Sequence, residues 1–556
     1  MSTGKPRGFR DILFAEAARR EQLTMKLSNY FSQQGYLLVE TPTVEYPETL
    51  ERGGSESDAF RFVDIDGNLI ALRSDVTGSL ARVVATRFSK IDPPYRLRYV
   101  ADVFREKESL RGSDRQMTQI GIECFGLAAQ EADAEVLSLA LGGLQTVGLS
   151  EVYLHLSDVS LIGKLIEQSF AAGDTELIMQ AWRDGDFIRF KDLMKAANLS
   201  GSCVDRRKLI TSLLKLSGDE SALDAAAQLL DQNQEARDAL ENLRACYRSL
   251  VERFPTQKVV IDFSLPPRLD YYSGIIFELN VATAQGRSRC VGSGGRYDTL
   301  LARFGRDLPA VGFVYELTQL EALIESFEQA PEIADTTLHP LRIAIPKGKL
   351  FDDSVALLKA VGVDIPGLDN PGRTLSFSTP DYEVIIAKPT DVAIYVSSGV
   401  VDIGMSGRDT LVEADFPLLQ LLDLRYGGCE FVVAAPADME EDLADLSLRL
   451  GTVRVATKYP RLTQRYFDQQ GIQIEMVKLN GNIELAPLIG IADLIVDLAQ
   501  TGTTLRENNL IIKARVLEST AQLVAQYSAA RTDGRVLDFA QKLEAIIDRT
   551  DLGEEG

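Results

Sequence analysis

Five short stretches in the C-terminal part of the chain put small, hydroxylic and cationic residues where a strand gives way to a helix. The richest reads Ala492-Asp493-Leu494-Ile495-Val496-Asp497-Leu498-Ala499-Gln500-Thr501-Gly502-Thr503-Thr504-Leu505-Arg506. An apolar strand delivers an acid, and hydroxyls around one glycine then open a helix. Backbone N–H groups at such a start, with Thr501, Thr503 and Thr504, can enclose a phosphate monoester, and Asp497 at the strand end can hold ribose hydroxyls. The same letters equally describe a threonine-capped helix after a glycine turn. Pro346-Lys347-Gly348-Lys349-Leu350 sets two ammonium groups at another such turn. Lys388-Pro389-Thr390-Asp391, Gly404-Met405-Ser406-Gly407-Arg408-Asp409 and Thr457-Lys458-Tyr459-Pro460 end three further strands. Each alone reads as a solvated turn. Together they describe a cleft for polyanions in a chain whose net charge is −22.

Several chemistries are disfavoured at once. The chain has only two histidines, His155 and His339, so a triad, a histidine zinc site or a histidine base must use one of them. His155 lies in the alternating stretch Val152–Leu156, a strand pattern, and His339 precedes Pro340 in a linker-like run; neither sits in a catalytic pattern. Five cysteines, Cys124, Cys203, Cys246, Cys290 and Cys429, show no CxxC spacing and read as reduced, mostly buried thiols. Asp and Glu total 81 against 59 Lys and Arg, the wrong balance for a protein that neutralises phosphate backbones, so no nucleic-acid partner is expected. No apolar run approaches the ~18 residues of a membrane helix, and Met1–Arg10 is polar, so neither a membrane partner nor a secretory signal is expected, and the expected location is the cytoplasm.

The 556 residues allow several domains. A polar, proline-containing run around Pro331 and Pro340 divides the chain into 1–325, a linker 326–340, and 341–556. In the first part a helix is expected over Leu13–Gln34, stopped by Gly35. Strands are expected at Tyr36–Val39, Leu69–Arg73, Tyr95–Phe104, Gln119–Phe125, Val259–Phe263, Ile275–Asn280 and Ala310–Tyr315, spaced as hairpins and therefore largely antiparallel. Between about 158 and 257 the spacing becomes that of an all-helical insertion. The second part alternates strands (Leu341–Ile345, Glu383–Ala387, Asp402–Met405, Phe431–Ala435, Val453–Ala456, Leu494–Val496) with helices, an α/β pattern of two small lobes around a cleft. It closes on an amphipathic helix whose Val536, Phe539, Ala540, Leu543, Ile546 and Ile547 share one face.

The second part resembles the short form of ATP phosphoribosyltransferase. The matching stretches are PKGKL (346–350), VVDIGMSGRDTLVE (400–413), LLDLRYGGCEFVVAAP (421–436), RVATKYPRLTQRYF (454–467), KLNGNIELAPLIGIADLIVD (478–497) and TGTTLREN (501–508). The resemblance implies a two-lobed, periplasmic-binding-protein-like fold and displacement of pyrophosphate from phosphoribosyl pyrophosphate by N1 of ATP. It further implies that Thr501, Gly502, Thr503 and Thr504 grip the 5′-phosphate, with Glu484 and Asp497 near ribose and pyrophosphate. Lys347 and Lys458 would face ATP, while Arg373 and Lys349 would stabilise the leaving group. Read without the family, Arg373 is a surface arginine after the turn Pro371-Gly372. Magnesium is expected on the polyphosphates, held by substrate oxygens and water with no protein metal site. Two departures, Asp391-Val392-Ala393 where relatives often read Asp-Ile-Pro and Thr503 where they carry arginine, remove no group assigned to the chemistry.

The first part resembles the class II catalytic core of histidyl-tRNA synthetase through Leu72–Thr77, Val103-Phe104-Arg105, Gln119–Glu123, Leu269–Tyr272, Gly294–Asp298 and Pro309–Phe313. That resemblance implies that Asp75, Thr77, Arg105, Gln119, Glu123, Tyr272 and Tyr297 surround a histidine molecule. The ATP-handling groups of the family are replaced, by Lys107 and Met117 in one motif and by Glu316 and Gln319 in another, and Arg268 stands one position out of place. A kept histidine pocket with a dismantled ATP pocket matches the regulatory subunit of ATP phosphoribosyltransferase. The expectation is a sensor fused ahead of its enzyme, homo-oligomeric, with histidine restraining the transferase. An active synthetase with an appended transferase and a non-catalytic amino-acid sensor are the competing readings.

Overall fold

The computed structural model describes residues 4–54, 59–106, 115–149, 151–197, 203–230, 234–283, 288–328, 339–479, 481–499 and 503–554. The chain forms two compact units, Met1–Leu338 and His339–Gly556. Four further points outside these residues are Lys107, Thr501, Gly502 and most of the linker, and the side chains of Thr503 and Thr504 are likewise not described.

The first unit is built on a nine-stranded sheet in the order Leu37–Leu38, Tyr95–Phe104, Gln116–Phe125, Ala310–Glu316, Ser288–Arg296, Ile275–Ala282, Val152–Asp158, Lys258–Asp262, Ser217–Gly218. Only the pairings of Leu37–Leu38 with Tyr95–Phe104 and of Val152–Asp158 with Lys258–Asp262 are parallel. Alternation along Gln116–Phe125 divides its side chains between two environments. Ile120, Ile122 and Cys124 enter a core shared with helices, among them Phe14–Gln33, whose Leu23, Leu27 and Phe31 form one buried stripe. Gln119, Gly121 and Glu123 turn to the opposite face. Gly35, at φ +85°, ends that helix in the left-handed conformation that glycine tolerates.

The strand Ser288–Arg296 was not foreseen, because its glycines carry no strand preference. Their reason is tertiary. A Cβ on Gly294 would lie 2.4 Å from the Gly312 carbonyl oxygen, and one on Gly295 would lie 2.8 Å from the Tyr272 ring. Among the described residues between Val159 and Arg253 the regular elements are helices, apart from Ser217–Gly218, a two-residue strand that corrects the all-helical expectation by extending the sheet edge.

The second unit holds two sheets. One runs Ser376–Ser378, Tyr382–Ala387, Leu341–Pro346, Ile403–Gly407, Ala521–Ala525, Leu419–Asp423, and the other Ile474–Lys478, Val453–Thr457, Leu494–Ala499, Cys429–Pro436, Leu510–Ser519. In each, three neighbouring strands are parallel: Tyr382–Ala387, Leu341–Pro346 and Ile403–Gly407 in one, Ile474–Lys478, Val453–Thr457 and Leu494–Ala499 in the other. The chain crosses between the sheets twice, through 424–428 and at Thr520. The closing helix runs Gly534–Glu554, with Val536, Phe539, Leu543 and Ile547 buried.

Candidate effector cavity and transferase cleft

In the first unit a cavity of about 380 Å³ opens on the sheet face that carries Glu123. All seven predicted residues, Asp75, Thr77, Arg105, Gln119, Glu123, Tyr272 and Tyr297, line it. Glu123 is its buried floor: the Thr77 hydroxyl donates to one carboxylate oxygen at 2.7 Å and the Tyr297 hydroxyl to the other. Gly312 pairs with Glu123 across the sheet, and a Cβ there would lie 1.6 Å from the carboxylate. The glycine is therefore what leaves room for the acid. Burial pushes the Glu123 carboxyl up to about 8, against the two hydroxyl bonds and with help from Asp75. Tyr271 packs edge-on against Tyr272 and Tyr297, with centroids 5.5 and 5.6 Å away, giving one wall of rings.

The two arginines of the cavity already stand beside carboxylates. Arg105 stands 3.8 Å from Glu316, and Arg268 meets the buried Glu278 at 2.7 Å. Gln319 accepts a bond from Arg289 at 3.2 Å. A triphosphate entering here would meet Glu316 and Glu278 beside the two arginines. Tyr99, Tyr271, Arg268 and Glu278 also line the cavity and were not among the predicted residues. Strand alternation could have found Tyr99 and Glu278, since each points to the same face as Glu123 or its sheet neighbours.

In the second unit four of the five predicted turns lie among the described residues, and all four follow carboxyl ends of parallel strands. Lys347 and Lys349 follow Leu341–Pro346, Lys388 follows Tyr382–Ala387, Arg408 follows Ile403–Gly407, and Lys458 follows Val453–Thr457. This is the edge at which α/β sheets bind ligands. Asp497 is a correction: it lies inside the strand Leu494–Ala499 rather than at its end, half-buried on the face of Ile495 and Ala499. Burial raises its carboxyl, Lys458 opposes the shift, and Glu484 adds to it, so these three predicted residues share one field. Tyr459 joins them. Burial pushes its phenol up to about 12, with Asp409, Asp497, Cys429 and Glu413 acting in the same direction. Cys429 in turn feels Asp409 and Lys349, which ties the first lobe's lysine to the same junction.

Local bonds hold this edge in shape. Thr457 is fully buried, donates to the Val496 carbonyl at 2.9 Å, and accepts the Tyr459 N–H at 2.9 Å. Ser519 donates to Asp409 at 2.8 Å. Arg373 is exposed in its turn after Gly372, and its guanidinium makes no ion pair among the described residues. Among those residues no group of three His, Cys, Asp or Glu side chains is placed to hold a metal. No helix among them is long and apolar enough to cross a membrane.

Comparison with known proteins decides between the readings. Residues 8–320 match the family described as histidyl-tRNA synthetase, and residues 388–550 match ATP phosphoribosyltransferase. The chain is 44% identical over 201 residues to an ATP phosphoribosyltransferase of Moorella thermoacetica, a match spanning 35% of this chain and 88% of that protein. It is 34% identical over 326 residues to an ATP phosphoribosyltransferase regulatory subunit of Desulforamulus reducens, spanning 58% of this chain and 80% of that one. The chain belongs to the ATP phosphoribosyltransferase family, regulatory part first and catalytic part second. The crystal structure of an ATP phosphoribosyltransferase regulatory subunit/histidyl-tRNA synthetase from Bacillus halodurans is 26% identical, with a TM-score of 0.52 over 65% of this chain and 90% of that one. The fold class expected from the ATP phosphoribosyltransferase resemblance, an antiparallel synthetase-like core followed by an α/β transferase, holds.

Proposed function

We propose that ATP and phosphoribosyl pyrophosphate meet at the carboxyl ends of the parallel strands in the second unit, and that free histidine occupies the cavity of the first unit as effector. In the transfer, N1 of the adenine bonds to C1 of the ribose as the C1–pyrophosphate bond breaks and both of its electrons leave with pyrophosphate. Charge builds on the departing oxygen and on an oxocarbenium-like ring, so preorganised cations rather than a covalent nucleophile lower the barrier. Lys349 and Arg373 take the leaving group, Glu484 and Asp497 the ribose, and Lys347 and Lys458 the ATP phosphates. Thr501, Gly502, Thr503 and Thr504 take the 5′-phosphate. Magnesium, bound to the polyphosphates, would offset their charge. What supports the reading of the cleft is that Lys347, Lys349, Lys388, Arg408 and Lys458 all follow the carboxyl ends of parallel strands.

For the cavity, the supporting observation is that seven side chains complementary to an ammonium, a carboxylate and an imidazole line one space. The arginines that a triphosphate would need stand beside carboxylates. Pyrophosphate release from the two substrates, with and without histidine, tests both parts. Histidine slows the intact chain, and Glu123→Ala relieves that inhibition by roughly tenfold or more while sparing the uninhibited rate. Full histidine sensitivity in Glu123→Ala refutes the effector site.

A further inference from the structure

We infer that Glu413 is a positioning residue for the transfer reaction, holding the Lys458–Tyr459 turn of one lobe against the other through a two-way set of bonds. Glu413 lies near the end of the helix Arg408–Ala414 in the first lobe. Its carboxylate accepts the backbone N–H of Arg461 at 3.1 and 3.3 Å and that of Leu462 at 3.1 Å. These are first-turn donors of the second lobe's helix Pro460–Gln469, whose own N-cap residue, Tyr459, makes no side-chain cap bond. The cap is thus supplied from the opposite lobe. Arg461 returns the contact, donating to the carbonyl oxygens of Glu413 at 3.4 Å and Ala414 at 2.9 Å. Each helix end meets the charge its dipole favours, an acid at the N-terminus and a cation at the C-terminus.

The location gives the contact its consequence. The lobes are joined covalently at 424–428 and Thr520. Arg408 and Asp409, which bond to Glu518 and Ser519, lie beside that crossing. Glu413 is one helical turn further along the same helix, so it constrains rotation about the crossing strands. The helix it caps begins directly after Lys458 and Tyr459, which act electrostatically on or with Asp497. A swing of the second lobe would carry these groups away from Lys349 without unfolding either lobe. Misplacement by ~1 Å costs up to roughly 100-fold in rate.

The inference rests on the cleft reading above, and the experiment keeps the two apart. Steady-state kinetics of the full chain are compared for Glu413→Ala, Glu413→Gln, Arg461→Ala and Arg373→Ala. Glu413→Ala lowers kcat by roughly 10- to 100-fold while each KM moves by less than about threefold, since each lobe keeps its own binding groups. Glu413→Gln retains a carbonyl acceptor and recovers to within about fivefold of the parent, and Arg461→Ala falls between the two. An unchanged kcat in Glu413→Ala beside a slowed Arg373→Ala overturns the positioning role and leaves the cleft intact. Equal losses in Glu413→Ala and Glu413→Gln also overturn it, because the acceptor then does not matter. Unchanged rates in all four variants overturn the cleft reading itself. If Glu413→Ala fails to fold, the Glu413→Gln and Arg461→Ala values carry the same decision.

Discussion

Histidine binding to the first unit should expel a proton from Glu123, and the size of the effect follows from the cavity. In the empty pocket burial holds the Glu123 carboxyl at about 8, despite the hydroxyls of Thr77 and Tyr297. An ammonium or imidazole brought against it favours the ionised form, so the bound pocket must lose a proton that the empty one keeps. With a value of about 8, the carboxyl is roughly nine-tenths protonated at pH 7 and half protonated at pH 8. Calorimetry at about pH 7 in two buffers of different ionisation enthalpy should therefore show the parent releasing about 0.9 more proton per histidine than Glu123→Gln. The deprotonated fraction grows from about a tenth to about a half between those pH values, so affinity should rise about fivefold. Glu123→Gln binds more weakly and lacks this rise. The ligand's own groups titrate identically against both proteins, so the difference between the two curves belongs to Glu123. The sign for stability is the reverse. A carboxyl raised on folding contributes fully below its ordinary value and loses that contribution as pH climbs through about 8, so the unliganded unit should melt at progressively lower temperature over that range. Equal proton release and parallel affinity curves for the parent and Glu123→Gln would refute the assignment of the floor of the cavity.

Two more outcomes follow from particular contacts. Arg373→Ala should leave folding intact, because the residue is exposed after Gly372, and slow turnover under saturating substrates by roughly 10²–10³-fold, the loss expected for one charge contact to the leaving group; an undiminished rate removes Arg373 from the mechanism. Gly312→Ala puts a methyl into the space of the Glu123 carboxylate, so it should abolish histidine binding by calorimetry and destabilise the first unit by about 1–3 kcal/mol, whereas retained affinity would show that the carboxylate can move aside.

The sites became readable from sequence to different depths, for physical reasons. Glu123 was accessible because strand alternation and a recognisable motif coincide in Gln119–Glu123, and the fold then brings Thr77, at the start of a helix, and Tyr297, just after a strand, to it from distant stretches. The strand Ser288–Arg296, two places along the same sheet, was not, because its glycines answer to carbonyls and rings of neighbouring segments that no local pattern reveals. In the second unit, the cationic turns were visible since each follows an apolar run. The stretch Leu510–Ala525 hid its structure: it passes from one sheet to the other at Thr520 with no glycine or proline to mark the crossing.

Glu413 shows where such reading stops. Along the sequence it is one acid in a helical stretch, indistinguishable from a solvated face. Its role depends on Arg461 and Leu462, 48 and 49 residues away and in the other lobe. Those two N–H groups need an acceptor because Tyr459 makes no side-chain cap bond, and Tyr459 itself lies in the junction formed by Asp409, Asp497 and Cys429. A tyrosine carries no short side-chain acceptor to cap its own helix, so the cap comes from the other lobe. The same choice of residue thus shapes the cleft edge and creates the need for the contact that holds the lobes in register.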